Sequence, residues 1–159
     1  MADGTKGKKV LFICLGNICR SPIAEAVLQW VIKEQRGLVG WEVDSAAIGS
    51  WHVGKEPDHR AIQVMKRHSV PMYHQARQLK KSDFAEFDYI IGMDHDNISD
   101  IKARAPPKHN AVVELFGSYD PEKELIIRDP YYDDDDLGFV KCYEQCLRCS
   151  RGFLDSLSV

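Results

Sequence analysis

The sequence predicts an α/β domain, a parallel sheet with helices packed on both of its faces. Short apolar runs of strand length alternate along the chain with stretches of helical periodicity. The chain has 159 residues, close to the roughly 150 expected of one domain. No repeat, low-complexity linker or shift in composition divides it. Residues 1–159 are therefore expected to form a single domain, with residues 1–7 as a flexible tail.

The first strand is read at Lys9-Val10-Leu11-Phe12-Ile13-Cys14, an apolar run suited to burial on both faces. Gly16-Asn17 is a turn signal. Ser21-Pro22 then opens a helix, with serine as the cap and proline where a missing N–H costs nothing. Ile23, Ala26, Val27, Trp30 and Val31 give that helix one apolar face. Glu42 to Ile48 reads as a second strand, and Asp58 caps a helix carrying Ala61, Ile62 and Met65. Tyr89 to Met93 is a third strand, Asn97 to Arg104 a polar helix, and Ala111 to Phe116 a fourth strand. Phe139, Tyr143, Cys146, Leu147, Ser150, Phe153 and Leu154 recur at helical spacing in a last helix, Asp136 to Leu157. In sheets of this kind ligands sit at the carboxyl ends of strands near a topological switch point, which directs attention to the loop after the first strand.

Composition narrows the function classes. Twenty-one basic against 24 acidic residues give a net charge of −3, without the basic excess of a nucleic-acid binder. The longest apolar run, Val10 to Leu15, is far too short to span a membrane. No secretion signal is read, and five cysteines are too few and too odd for a disulfide scaffold. The expectation is a reduced cytoplasmic protein with no membrane span and no nucleic-acid partner.

Residues 14 to 21 read C-L-G-N-I-C-R-S, between a strand and a helix start. Successive N–H groups in a tight loop ending at a helix N-terminus form a nest for an oxyanion. Gly16 and Asn17 tolerate the left-handed turn such a nest requires. Arg20 offers a planar fork matched to two phosphate oxygens. Cys14, ending the strand, would aim its sulfur at the phosphorus, and the same positive field favours its thiolate. Taken alone, a cysteine closing an apolar strand is a packed hydrophobe. The conjunction points to a phosphate site, and not to an ATP-type loop, since no Gly-Lys-Ser/Thr ending follows.

C-L-G-N-I-C-R-S-P, together with Asp129-Pro130-Tyr131-Tyr132, resembles the low-molecular-weight protein tyrosine phosphatases. Val43 to Ala47, Phe87 to Ile90 and Gly117 to Pro121 extend the likeness over nearly the whole chain. The resemblance implies a twisted sheet in strand order 2-1-3-4 and metal-independent hydrolysis of phosphotyrosine, without cofactor. It implies Cys14 as nucleophile, Arg20 and the amides of Leu15, Gly16, Asn17, Ile18 and Cys19 as the oxyanion clamp, and Asp129 as general acid. The residues alone do not select Asp129 over Asp94 or Asp120. Ser21 is implied as a donor to the leaving thiolate, while Ser45 and His74 support the loop; singly, His74 reads as a surface histidine. Trp51, Tyr131 and Tyr132 are implied as walls of a slot deep enough for an aryl phosphate. The partners implied are phosphotyrosine proteins, inorganic phosphate or other oxyanions in the loop, and a second copy in weak self-association.

Several residues keep two readings. Cys19 is a trap for an oxidised nucleophile or a packed loop cysteine. Cys142, Cys146 and Cys149 are read as core, since no second ligand pair makes zinc spacing. Lys66, Arg67, Arg77, Lys80 and Lys81 are read as solvated surface, and the run Asp133 to Asp136 as an acidic face that disfavours acidic peptides. Two rival functions stand beside the phosphatase: a thiol-dependent arsenate reductase, and a phosphotyrosine-binding module without turnover.

Overall fold

Four parallel strands form the sheet: β1 (Lys9–Cys14), β2 (Glu42–Ala47), β3 (Tyr89–Gly92) and β4 (Val112–Leu115). They lie in the order β2-β1-β3-β4. This computed structural model describes residues 7–159, so the expected tail falls, but for Gly7, outside the described residues. Because strand side chains alternate between faces, β1 feeds two cores at once. Val10, Phe12 and Cys14 face one core, with α1 (Arg20–Trp30), α2 (His59–Arg67) and α5 (Leu137–Ser156). Leu11 and Ile13 face the other, with α3 (Asp83–Glu86) and α4 (His95–Arg104). Phe12 packs on Phe116 at 4.7 Å between ring centroids. Burying such a side chain contributes about 1.5–3 kcal/mol.

The four expected strands and four of the helices are present, with shifts that have physical causes. Asp58 caps α2 as read, its carboxylate accepting from Arg60 N at 2.9 Å. The last polar helix starts at His95 instead of Asn97, because Asp94 caps it by accepting from Asn97 N. Ser21 is not a cap: α1 begins two residues before the expected Pro22, at Arg20, and the Ser21 hydroxyl lies beside Cys14 Sγ. After Trp30 the helix widens into one π turn, Val31–Gln35. The short α3 gave no periodic signal over its four residues. Among the described residues no helix is long and apolar enough to cross a membrane.

The order of strands sets where a site can form. The chain leaves β1 to build β2 on one side and returns to build β3 on the other, so connections diverge at the carboxyl ends of β1 and β3. Cys14 ends the first of these strands, and Asp94 follows the second by two residues.

Candidate active site

The loop after β1 is held open from several sides. Asn17 takes the left-handed conformation, φ 60°, and its N–H points back to Cys14 Sγ at 3.3 Å. The expected left-handed pair is thus one residue, Asn17. Gly16 is small for a different reason: a Cβ there would meet His52 Cδ2 at 3.0 Å. Ile48 N and Gly49 N donate to the carbonyls of Cys14 and Leu15, and Asp58 N donates to that of Ile18. Cys19 stands at the N-cap of α1 without a capping side-chain bond, leaving the first-turn amides for an anion.

Behind the loop a polar network fixes its shape. The buried Asn17 side chain donates to Ser21 Oγ at 2.8 Å and to Ser45 Oγ at 2.9 Å. Its Oδ1 accepts from His74 Nε2 at 2.7 Å and from Arg77 N at 3.1 Å. Ser21 Oγ accepts from Asn17 and lies 3.0 Å from Cys14 Sγ, so its own proton is available to a thiolate there. Ser45 Oγ donates to Glu25 Oε1 at 2.6 Å. Asn17 Oδ1 can only accept, so His74 carries its proton on Nε2, and Nδ1 lies 3.2 Å from Glu25 Oε1. Burial pushes the Glu25 carboxyl up to about 8 and pulls His74 down.

Sequence reading missed Glu25, an acidic residue on the apolar side of a helix, and misassigned Arg77. Its guanidinium is no solvated cation: it forks onto the fully buried Asp83 at 3.1 Å and 3.1 Å and reaches Asp44 at 3.0 Å. His74, read singly as a surface histidine, is buried to 7% exposure at this network.

Arg20 is almost wholly buried and anchored by one nitrogen. Nη1 donates to Asp94 Oδ2 at 2.6 Å and to the Ile127 carbonyl at 3.0 Å. Nε has no acceptor although it is buried, and Nη2 lies 3.7 Å from Asp129 Oδ2. A buried guanidinium N–H without a partner is costly, so this edge of Arg20 is built for an acceptor the protein itself does not supply. The three candidate aspartates separate here. Asp120 is locked to Arg148 at 3.0 Å, and Asp94 is used by Arg20 and by the cap of α4. Asp129 keeps an oxygen toward the cavity, its other oxygen accepting from Tyr131 N.

These groups line a cavity of about 360 Å³ together with Leu15, Ile18, Cys19, Trp51, His52, Tyr131 and Tyr132. Gly49 lets Trp51 fold back over the chain, since a Cβ there would fall 1.8 Å from the indole ring. His52, which the sequence did not single out, tilts against Tyr131 at 5.9 Å. Tyr132 stands edge-on to Tyr131 and is 90% exposed. The acidic run beyond is half neutralised: Asp133 pairs with Arg128 at 2.6 Å and Asp136 with Arg67, while Asp134 and Asp135 stay at the surface. All five cysteines are free and buried. Burial keeps Cys19 strongly in the thiol form and pushes Cys149 up to about 12. Cys142, Cys146 and Cys149 pack in the core of α5, as read.

The family described as low molecular weight phosphotyrosine protein phosphatase matches residues 9–159. A human protein of that name is 52% identical over 150 residues, which cover 93% of this chain and 94% of the relative. Among solved structures, a Drosophila arginine phosphatase superposes with TM-score 0.89 at 39% identity, over 95% of this chain and 98% of its own. A protein tyrosine phosphatase from Entamoeba histolytica, solved with Hepes in its active site, gives TM-score 0.90 at 33% identity, over 96% and 97%.

Proposed function

Because the chain belongs to the low molecular weight phosphotyrosine protein phosphatase family and is a phosphomonoester hydrolase, we propose that it cleaves phosphotyrosine through a phosphocysteine formed on Cys14. In the first step the Cys14 thiolate attacks phosphorus while the bond from phosphorus to the tyrosine oxygen breaks. Asp129 gives its proton to that oxygen, so a neutral phenol leaves. Arg20 and the amides of residues 15 to 20 hold the three non-bridging oxygens. That is the positioning and charge stabilisation on which phosphoryl transfer depends. In the second step water attacks phosphorus, Asp129 takes a proton from the water, and the P–S bond breaks. The Ser21 proton then stabilises the departing thiolate.

The observation that carries this reading is the partnerless, buried Nε of Arg20 at a loop whose cysteine already receives the Asn17 N–H. The aromatic lining of Trp51, Tyr131 and Tyr132 supports an aryl phosphate, which offers those side chains a ring that phosphoserine lacks. Inorganic phosphate and other oxyanions would occupy the same loop. A cytoplasmic location accords with five free cysteines.

Phosphate release from matched phosphotyrosine, phosphoserine and phosphoarginine peptides, with chelator and reductant present, tests the proposal. Turnover selective for phosphotyrosine, abolished by Cys14→Ser and strongly slowed by Asp129→Ala, is the expected result. Faster release from the phosphoarginine peptide would overturn the substrate assignment. Turnover that survives Cys14→Ser would overturn the mechanism.

A further inference from the structure

Arg60, in the first turn of α2, reaches across to the loop that carries Asp129. Its guanidinium Nε donates to Asp58 Oδ1 and its Nη2 to Asp58 Oδ2, both at 3.0 Å. Nη2 also donates to the Tyr131 carbonyl at 2.8 Å, and Nη1 to the Asp133 carbonyl at 2.7 Å. The guanidinium carbon lies 4.5 Å from the centroid of the buried Phe139 ring of α5. We propose that Arg60 is a positioning residue for proton transfer, a role that rests on Asp129 acting as general acid. It holds the Asp129 carboxyl in register with the phosphate loop.

The link runs through the backbone of Tyr131. Tyr131 N donates to Asp129 Oδ1 at 3.1 Å, while Asp129 Oδ2 lies 3.7 Å from Arg20 Nη2. The carbonyl of that same tyrosine is the one Arg60 holds. Fixing Tyr131 at its C=O therefore fixes the N–H that orients the acid. At the other end stands the phosphate loop, since Asp58, gripped by Arg60, donates its own N–H to the Ile18 carbonyl at 2.7 Å. One Asp–Arg pair thus ties the two loops together. Among the described residues no other hydrogen bond joins the backbone of residues 128–133 to another element. The Arg128–Asp133 pair closes the loop on itself and moves with it. Gly138 of α5 has no side chain with which to hold the loop, and a Cβ there would collide with Asp133.

The geometry asks for arginine. A planar fork can take Asp58 and two carbonyls at once, where lysine offers a single point of charge. Arg60 is not among the residues that line the cavity, so it acts through Tyr131 and not on the substrate. Cys14 and Arg20 are held by other contacts. Loosening the loop should therefore be felt in one event, protonation of the leaving oxygen. General acids contribute roughly a hundredfold or more, and a displacement of about 1 Å can cost that much.

The test compares p-nitrophenyl phosphate, whose leaving group departs well without a proton, with phenyl phosphate, whose leaving group needs one. A loss of folded protein lowers both alike, so the ratio of the two kcat/KM values is blind to it. Asp129→Ala should lose at least about tenfold more kcat/KM with phenyl phosphate than with the nitro compound. Arg60→Gln should show the same bias at roughly five- to tenfold. Arg60→Lys keeps the charge beside Phe139 and should show that bias as well, should the glutamine variant fail to fold. In an Asp129→Ala background the Arg60 substitutions should add no further bias, because the group they misplace is gone. An equal loss with both substrates, or a bias undiminished in that background, would overturn the inference. Absence of bias in Asp129→Ala itself would overturn the general-acid reading, and the inference with it.

Discussion

Asp94 offers the sharpest perturbation of the site, because it does two separable things. Its Oδ2 holds Arg20 Nη1 at 2.6 Å, and its Oδ1 caps α4 through Asn97 N at 2.8 Å. The Arg20 side chain is 3% exposed, so the first bond is made out of water. Hydrogen bonds to charged groups of this kind contribute about 1.5–3 kcal/mol. If that energy orients the guanidinium edge in the transition state, its loss costs roughly ten- to hundredfold in kcat/KM, at about 1.4 kcal/mol per tenfold. Asparagine at 94 keeps a cap acceptor and a neutral partner for Arg20, so Asp94→Asn should sit near the lower figure. Asp94→Ala should sit near the upper one and lose about 1 kcal/mol more stability through the missing cap. The assay is steady-state hydrolysis of an aryl phosphate with chelator present, beside urea unfolding of both variants. Unchanged kcat/KM in Asp94→Asn would refute the claim that anchoring through Nη1 is what presents Nε and Nη2 to the phosphate.

Ser21→Ala removes the hydroxyl beside Cys14 Sγ; it should slow breakdown of the phosphocysteine about tenfold or more. Rapid-quench kinetics should then show a burst, with kcat reduced while kcat/KM is largely kept; an equal fall in both would place Ser21 in the first step instead. Trp51→Ala opens the aromatic slot and should raise KM for aryl phosphates roughly two- to tenfold, with small alkyl phosphates unaffected in the same assay. The folded chain holds a proton at Glu25 up to about pH 8 that the unfolded chain releases near 4.5, so stability should fall as pH climbs between those values. His74, lowered from 6.5 by burial, acts in the opposite sense below 6.5, which concentrates the net decline between pH 6.5 and 8 at up to about 1.4 kcal/mol per unit. Urea unfolding across that range, with chelator, should show this slope in the native chain and a flatter one in Glu25→Gln.

Much of this was legible because local chemistry and tertiary demand agree. The apolar runs at β1 and β3 can only be strands buried on both faces, and the loop's cysteine, asparagine and arginine sit within one turn of each other in sequence. What was not legible depends on separation along the chain. Nothing near Glu25 announces that Ser45 and His74 will meet it, so an acidic residue on an apolar helix face reads as an anomaly. Arg77 reads as one cation in a basic stretch until Asp83 is folded back beneath it. His52 carries no motif, and only the bare backbone of Gly16 makes room for its ring. Ser21 misled for a different reason: serine before proline is a good cap by local rules, and a tertiary partner for its hydroxyl overrode them.

Asn17 shows how one residue settles the competition between backbone strain and side-chain bonding. A non-glycine residue at φ 60° costs of order 1–3 kcal/mol, and glycine would avoid that cost. Glycine would also delete four side-chain bonds, to Ser21, Ser45, His74 and the Arg77 amide. At about 0.5–1.5 kcal/mol for each bond, those four together contribute about 2–6 kcal/mol and outweigh the strain over most of the range. They also fix direction: the backbone N–H of Asn17 is turned to Cys14, and the Ser21 hydroxyl is held within 3.0 Å of the sulfur. The loop is therefore shaped before any anion arrives, and its rigidity comes from a side chain anchored in the network behind it. A loop that took its turn from glycine alone would reach the same backbone angle and leave the donors free to scatter.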